Sequence, residues 1–205
     1  MIDIATSLPG WWSTWALPVG AGVCLSAACG FRTFIPLLAV GLASKIGLFP
    51  LDAQYGWLAT TTGLVALGTA AALEVGGYYI PMVDHALDVI ATPLATAAGA
   101  LVMFTSIGAD HGLVGWILAL LLGGGLSGAV QLTTVKARVI STGTTAGLAN
   151  PLVATGELIG SAGLSALALL LPALAVLVSV VLLVVLWRTT RWVRRKRVAR
   201  MAPMP

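Results

Sequence analysis

Apolar runs of membrane-spanning length alternate along this chain with short interruptions that carry its charged and hydroxylated residues. A transmembrane helix needs about 20 mostly apolar residues. From Trp15 to Gly30 the chain is apolar and rich in small residues, enough for one span. GFRTFIP, residues 30–36, closes it with Arg32 and Pro36, because proline removes a helix hydrogen bond and bends or breaks the helix. Leu37 to Leu48 is too short to cross alone and predicts a re-entrant or interfacial segment, with Lys45 near the headgroups and 48–56 as a loop. A second span is expected over 57–80, interrupted late by Gly76-Gly77. Pro81 suits the first turn of a third helix, which continues through Thr92-Pro93 to about Ile107. Residues 108–112, with Asp110 and His111, read as a turn. A fourth span follows over 112–134, where Gly123, Gly124, Gly125 and Gly128 allow close helix contact. The stretch 135–151, VKARVISTGTTAGLANP, reads as a hydroxyl-rich turn region. The last span lies within Glu157–Trp187, long enough to be tilted, kinked at Pro172 or protruding.

The expected fold is an all-α membrane protein of about five transmembrane helices with that re-entrant segment after the first. Composition agrees: 59% of the 205 residues are hydrophobic and 9% charged, against about 25% charged in soluble domains. The ten-residue alternation of an outer-membrane barrel is missing. Seven of the eleven basic residues lie between Arg188 and Arg200, so without them four bases face seven acids. The domain plan is one transmembrane domain over 1–187 and a basic tail over 188–205. That tail is expected on the cytoplasmic side of a bacterial inner membrane, against anionic headgroups, and not on nucleic acid. Residues 1–10 hold no Lys or Arg, unlike a signal-peptide n-region. Trp11, Trp12 and Trp15 read as interfacial anchors, and so do Tyr78 and Tyr79. Cys24 and Cys29, five apart, point to different faces of their helix and are expected to be inert thiols. A faint repeat aligns Leu25-Ser26-x-Ala28 and Thr33 with Leu126-Ser127-x-Ala129 and Thr134. Three spans separate the matched points, so halves 14–108 and 112–187 would be inverted, a transporter arrangement.

Acids at bilayer depth cost roughly 2.5–3.5 kcal/mol each on insertion scales, so they persist where they face protein, water or a cation. Glu74 is one turn from the end of its span; it is read either as a proton or cation site or as a carboxylate that reaches the interface or pairs with Arg32. Asp84 and Asp88, four apart, share one helix face with His85 between them. Three readings stay open for them: an acidic first turn, a hard-cation site with Glu74, and a metal hydrolase site with His85 as a ligand. The metal candidates are therefore Glu74, Asp84, His85 and Asp88. No HExxH, paired CxxC, GxSxG or P-loop pattern supports an enzyme, and no cofactor is implied. Ser141, Thr142, Thr144, Thr145 and Asn150, interleaved with Gly143 and Gly147, offer hydroxyls and bare amides that could line an ion or anion site. Lys136 and Arg138 beside them would suit a phosphate or carboxylate headgroup.

GFRTFIP at 30–36, the acids around Pro81, and STGTTAGLANP at 141–151 together resemble an uncharacterised bacterial membrane-protein family, a domain of unknown function with relatives in plastid-bearing organisms. The resemblance covers roughly residues 20–160. It departs at Tyr78-Tyr79, where the family tends to have Asp-Lys. It implies a shared polar site and names no activity.

The expected function is a small secondary transporter or ion- or proton-conducting protein. Glu74, Asp84 and Asp88 would form its site, Arg32 the counter-charge and residues 141–150 the substrate-facing break. Working as a homo-oligomer is expected from the glycine-rich faces. The alternative is a non-catalytic accessory or scaffold subunit of a larger membrane complex; a third reading is an intramembrane metal-dependent lipid enzyme.

Overall fold

A computed structural model describes residues 10–108 and 112–201, and within its helices it leaves out the side chains of residues 81, 82, 84, 85, 186, 189, 190 and 192–201. Asp110 and His111 therefore lie outside the described residues. Among the described residues seven helices follow one another: α1 (Trp12–Phe31, its first turn a π-helix), α2 (Phe34–Lys45), α3 (Thr61–Gly77), α4 (Pro81–Ile107), α5 (Gly112–Thr145, with a π-helical stretch at Ala119–Gly124), α6 (Asn150–Leu170) and α7 (Pro172–Met201). Among the described residues, α1, α4, α5 and α6 are long and apolar enough to cross a bilayer. A fifth span arises if the 3-10 turn Ala53–Ala59 and α3 count as one. The chain is an all-α integral membrane protein.

Helix α1 is the central post. Every residue from Gly20 to Gly30 is buried, and its small residues let three neighbours close in. A Cβ on Gly20 would stand 2.5 Å from Val176 of α7, one on Gly22 2.4 Å from the Met103 sulfur of α4, and one on Gly30 2.5 Å from the Ser127 carbonyl of α5. Without a hydrophobic drive between helices in lipid, such close backbone packing is what holds spans together. Ser26 donates to the Gly99 carbonyl of α4 at 2.9 Å, and Ser127 of α5 donates to Ala95 of the same helix. Cys24 and Cys29 are free and buried.

The interruption in GFRTFIP falls at Arg32, whose backbone is extended (φ −145°, ψ 122°) between α1 and α2. The latter ends in a Schellman turn: Leu48 N–H bonds the Ala43 carbonyl and Gly47 N–H the Ser44 carbonyl, with Gly47 at φ +77°. Thr60 caps α3 through Gly63 N–H at 3.0 Å.

Three expectations need correction. The second span is not continuous over 57–80; a 60° bend separates the 3-10 turn from α3. The stretch 135–151 is not a loop, because α5 runs helically to Thr145. Its hydroxyls stay helical by bonding their own carbonyls, Thr133 to Ala129, Thr144 to Ile140 and Thr145 to Ser141. The turn is only Ala146–Ala149, where Ala146 and Gly147 take positive φ. Finally, 157–187 is not one span: α6 begins at Asn150 and stops at Leu171, before Pro172 opens α7. Of the α5 glycines, Gly123, Gly124 and Gly128 face the bundle and Gly125 is exposed. A Cβ on Gly123 would meet the Gly99 carbonyl at 2.5 Å, and Gly124 and Gly128 pack on Thr96.

Candidate functional site

Five ionisable side chains, three from helices α4, α5 and α6 and two from the breaks after α1 and α3, meet where α1 ends. The extended backbone at Arg32 turns its guanidinium into the bundle, where it is fully buried and donates to the Ala154 carbonyl of α6 at 2.9 Å. The same nitrogen lies 3.4 Å from Glu157 Oε2. Arg138 of α5 donates to that same Glu157 oxygen and, with its other terminal nitrogen, to Asp88 of α4. One carboxylate oxygen therefore serves two buried arginines. The Tyr78 ring, in the turn after α3, completes the knot, with the guanidinium carbons of Arg32 and Arg138 at 4.1 and 3.8 Å from its centroid. Such contacts are worth about 2 kcal/mol when desolvated.

Glu74 sits beside this knot and has a different task. Its two oxygens accept the backbone N–H groups of Thr33 at 2.8 Å and Phe34 at 3.1 Å, at the start of α2. A carboxylate in the last turn of α3 opposes that helix's own dipole; the N-terminus of α2 supplies the positive end that offsets it. A cavity of about 230 Å3 lies next to Glu74 and Tyr78, walled by apolar residues of α3 and α4 such as Leu73, Ile90 and Leu94.

The charges are wrapped in hydrocarbon-facing residues. Leu73, Val89, Val139 and Ile159 lie within two positions of Glu74, Asp88, Arg138 and Glu157, and are 61–77% exposed. Arg32 and Arg138 balance Glu157 and Asp88, while Glu74 is met by a helix end. Pairing is incomplete all the same. Among the described residues, Arg32 Nε and Nη1, Arg138 Nε, Glu157 Oε1, Ser141 Oγ and Gln131 Nε2 are buried without a hydrogen-bond partner.

The family described as domain of unknown function DUF4126 matches residues 19–192. The chain belongs to the DUF4126 family. No curated protein matches it, and neither does any solved structure.

Of the residues expected at the site of this DUF4126 chain, Arg32, Glu74 and Asp88 converge. The side chains of Asp84 and His85 lie outside the described residues. Among those described, no three His, Cys, Asp or Glu come together as a metal set; Glu74 faces α2 and Asp88 faces Arg138. Ser141 is buried on the knot's side of α5. Thr142, Thr145 and Asn150 serve the turn, with Asn150 Nδ2 donating to Thr142 Oγ1 and Ala149 N–H to Thr145 Oγ1, both at 3.1 Å. Thr144 bonds back into α5.

Two expectations are overturned here. Arg138 is buried at 4% exposure instead of reaching a headgroup, and Tyr78 at 3% is no interfacial residue. Tyr79 is 43% exposed and shares a hydrogen bond with Thr155. The residue missed altogether is Glu157. Its signal was periodic: the buried positions of α6 are Asn150, Ala154, Glu157, Ser161, Ser165 and Ala168, a polar stripe with helical spacing. Arg138 lies on the matching stripe of α5, with Ser127, Gln131, Thr134 and Ser141.

Proposed function

We propose that this DUF4126 protein is a small membrane transport protein driven by or conducting protons, with Glu157 as its titrating carboxylate. The observation that carries the reading is the sharing of Glu157 Oε2 between Arg32 and Arg138. A proton on Glu157 removes the charge that holds two guanidiniums together across α1, α5 and α6. The like charges left behind favour a rearrangement of those helices, so protonation and helix position are linked. Asp88 is the alternative acceptor that keeps Arg138 paired after the exchange.

The test is proton flux into vesicles carrying a pH-sensitive dye. Wild type conducts and Glu157→Gln does not. Flux that is equal in the two proteins, or missing from wild type, removes the proposal. A second reading, the scaffold, has one observation in its favour: Arg138 ties α4 to α6 by two ion pairs at once. It predicts that Glu157→Gln lowers stability while wild type carries no flux.

A further inference from the structure

We propose that a second cavity, at the other end of α1 from the charged knot, binds a small organic ammonium ion. The cavity has about 350 Å3 and lies between the start of α1, the loop before the 3-10 turn, the end of α4 and the α6–α7 break. Small-molecule sites begin at about 300 Å3 and are mostly apolar with a few placed polar groups. Ser13 lines this one, and Arg32 follows the far end of the same helix, about 28 Å away at 1.5 Å per residue. The site is therefore separate from Glu157 and does not depend on its titration. Its mouth is at the rim of the bundle, where Ser13, Leu48 and Pro50 are exposed.

Every polar side chain on the wall presents an acceptor. Ser13 Oγ donates to the Gly10 carbonyl at 3.0 Å, and Thr105 Oγ1 and Ser106 Oγ to the Val102 carbonyl at 2.9 and 2.7 Å. Their protons are committed, so a ligand meets only lone pairs. Asp52 stands at the N-cap of the 3-10 turn, yet its side chain makes no cap bond there; its place is in the cavity wall. Two helix ends add carbonyls. Gly108 N–H takes the Phe104 carbonyl as α4 stops, which leaves the later carbonyls past the helix's own donors. On α6 the Ala168 carbonyl has Pro172 four residues on, a residue without an N–H.

This wall rejects anions, because among the described residues no Lys, Arg or His lines it. Lys45, at the end of α2, donates to Thr61 at 3.1 Å and is not part of it. A hard metal ion wants about six oxygens or more, and a single carboxylate among Leu17, Phe49 and Leu169 does not replace its water. What fits is a cation that brings its own N–H donors and a hydrocarbon body. The ammonium reaches Asp52 and the carbonyls, the alkyl part covers the leucines, and Phe49 adds an aromatic side chain of the kind that attracts cations.

The test is isothermal titration of the full chain in detergent with n-butylammonium chloride, with the heat of protein-free micelles subtracted. Wild type binds it, and binds n-butanol and butyrate, which have the same chain and a neutral or negative head, at least roughly tenfold more weakly. Asp52→Asn weakens butylammonium by roughly tenfold to a hundredfold, the scale of one charged hydrogen bond. Leu17→Trp keeps the carboxylate, fills the cavity from α1 and abolishes binding. Glu74→Gln, which removes an acid elsewhere, binds as wild type does. The site is overturned by a wild type that does not bind butylammonium, by butyrate or butanol binding as tightly, by full affinity in Asp52→Asn or Leu17→Trp, or by a loss in Glu74→Gln. Binding with this pattern in a protein that carries no proton flux rejects transport and leaves the ammonium site in place.

Discussion

Replacing Glu157 with Gln tests the knot most directly, because the change keeps the side chain's size and removes its charge. Arg32 and Arg138 lie 4.1 and 3.8 Å from one ring centroid, so their guanidinium carbons are no more than about 8 Å apart. Like charges at that distance repel by at least about 2 kcal/mol at an effective dielectric of about 20. Removing one partner of a buried ion pair costs about 3–5 kcal/mol in total. For a chain of this size each kcal/mol moves the midpoint by about 2–4 °C, so Tm falls on the order of 10 °C. Thermal unfolding in detergent, followed by tryptophan fluorescence, reads this. The companion variant Arg138→Gln completes a double-mutant cycle. In the double variant the Arg138 charge that Glu157→Gln leaves repelling Arg32 is itself gone, so the loss is smaller than the sum of the singles, by an amount within the usual range of about 0.5–3 kcal/mol. Single losses that add to within about 0.5 kcal/mol would show that Glu157 and Arg138 do not depend on each other, and the shared-oxygen account would fail.

Glu74→Gln is expected to cost only about 1 kcal/mol, the scale of a helix cap, and to retain proton flux that Glu157→Gln loses; flux lost in Glu74→Gln and kept in Glu157→Gln would reverse the assignment of roles. Tyr78→Phe keeps the ring between the arginines and should change stability by less than about 1 kcal/mol, whereas Tyr78→Ala should cost about 3–5 kcal/mol, measured in the same melts. Gly123→Leu drives a side chain into the Gly99 carbonyl, 2.5 Å from the new Cβ, and should cost at least about 1–3 kcal/mol or abolish folding, scored by monodisperse yield in detergent.

Much of the fold was legible because apolar length and proline placement act locally. Pro81 at the start of α4 and the break ahead of Pro36 sit where the sequence puts them. What misled was the meaning of hydroxyls. In water a run such as STGTT reads as a turn, but inside a bundle in lipid Ser and Thr bond their own helix and cost little, so α5 carries on to Thr145. Of the site, Arg32, Glu74 and Asp88 could be named from charge in an apolar setting. Glu157 and Arg138 could not be found that way, since each looked like a residue at the edge of a run. Their positions emerge only when polar residues are counted at helical spacing, with the buried face of a membrane helix taken as the polar one. Tyr78 gave no such signal; its burial depends on where Arg32 and Arg138 arrive.

Stability alone does not explain why this chain keeps two arginines in such a place. A buried ion pair barely repays its desolvation, and apolar residues of like volume often do as well or better. Here the pairing is also left unfinished, with three guanidinium nitrogens and one carboxylate oxygen lacking partners among the described residues. On the reading proposed above, Arg138 keeps Asp88 as its partner when Glu157 is protonated, and Oε1 is the Glu157 oxygen that the arginines leave open. Glu74 supplies the contrast: each of its oxygens accepts one backbone amide at the start of α2, so its charge is offset by a helix end where Glu157 is met by two arginines.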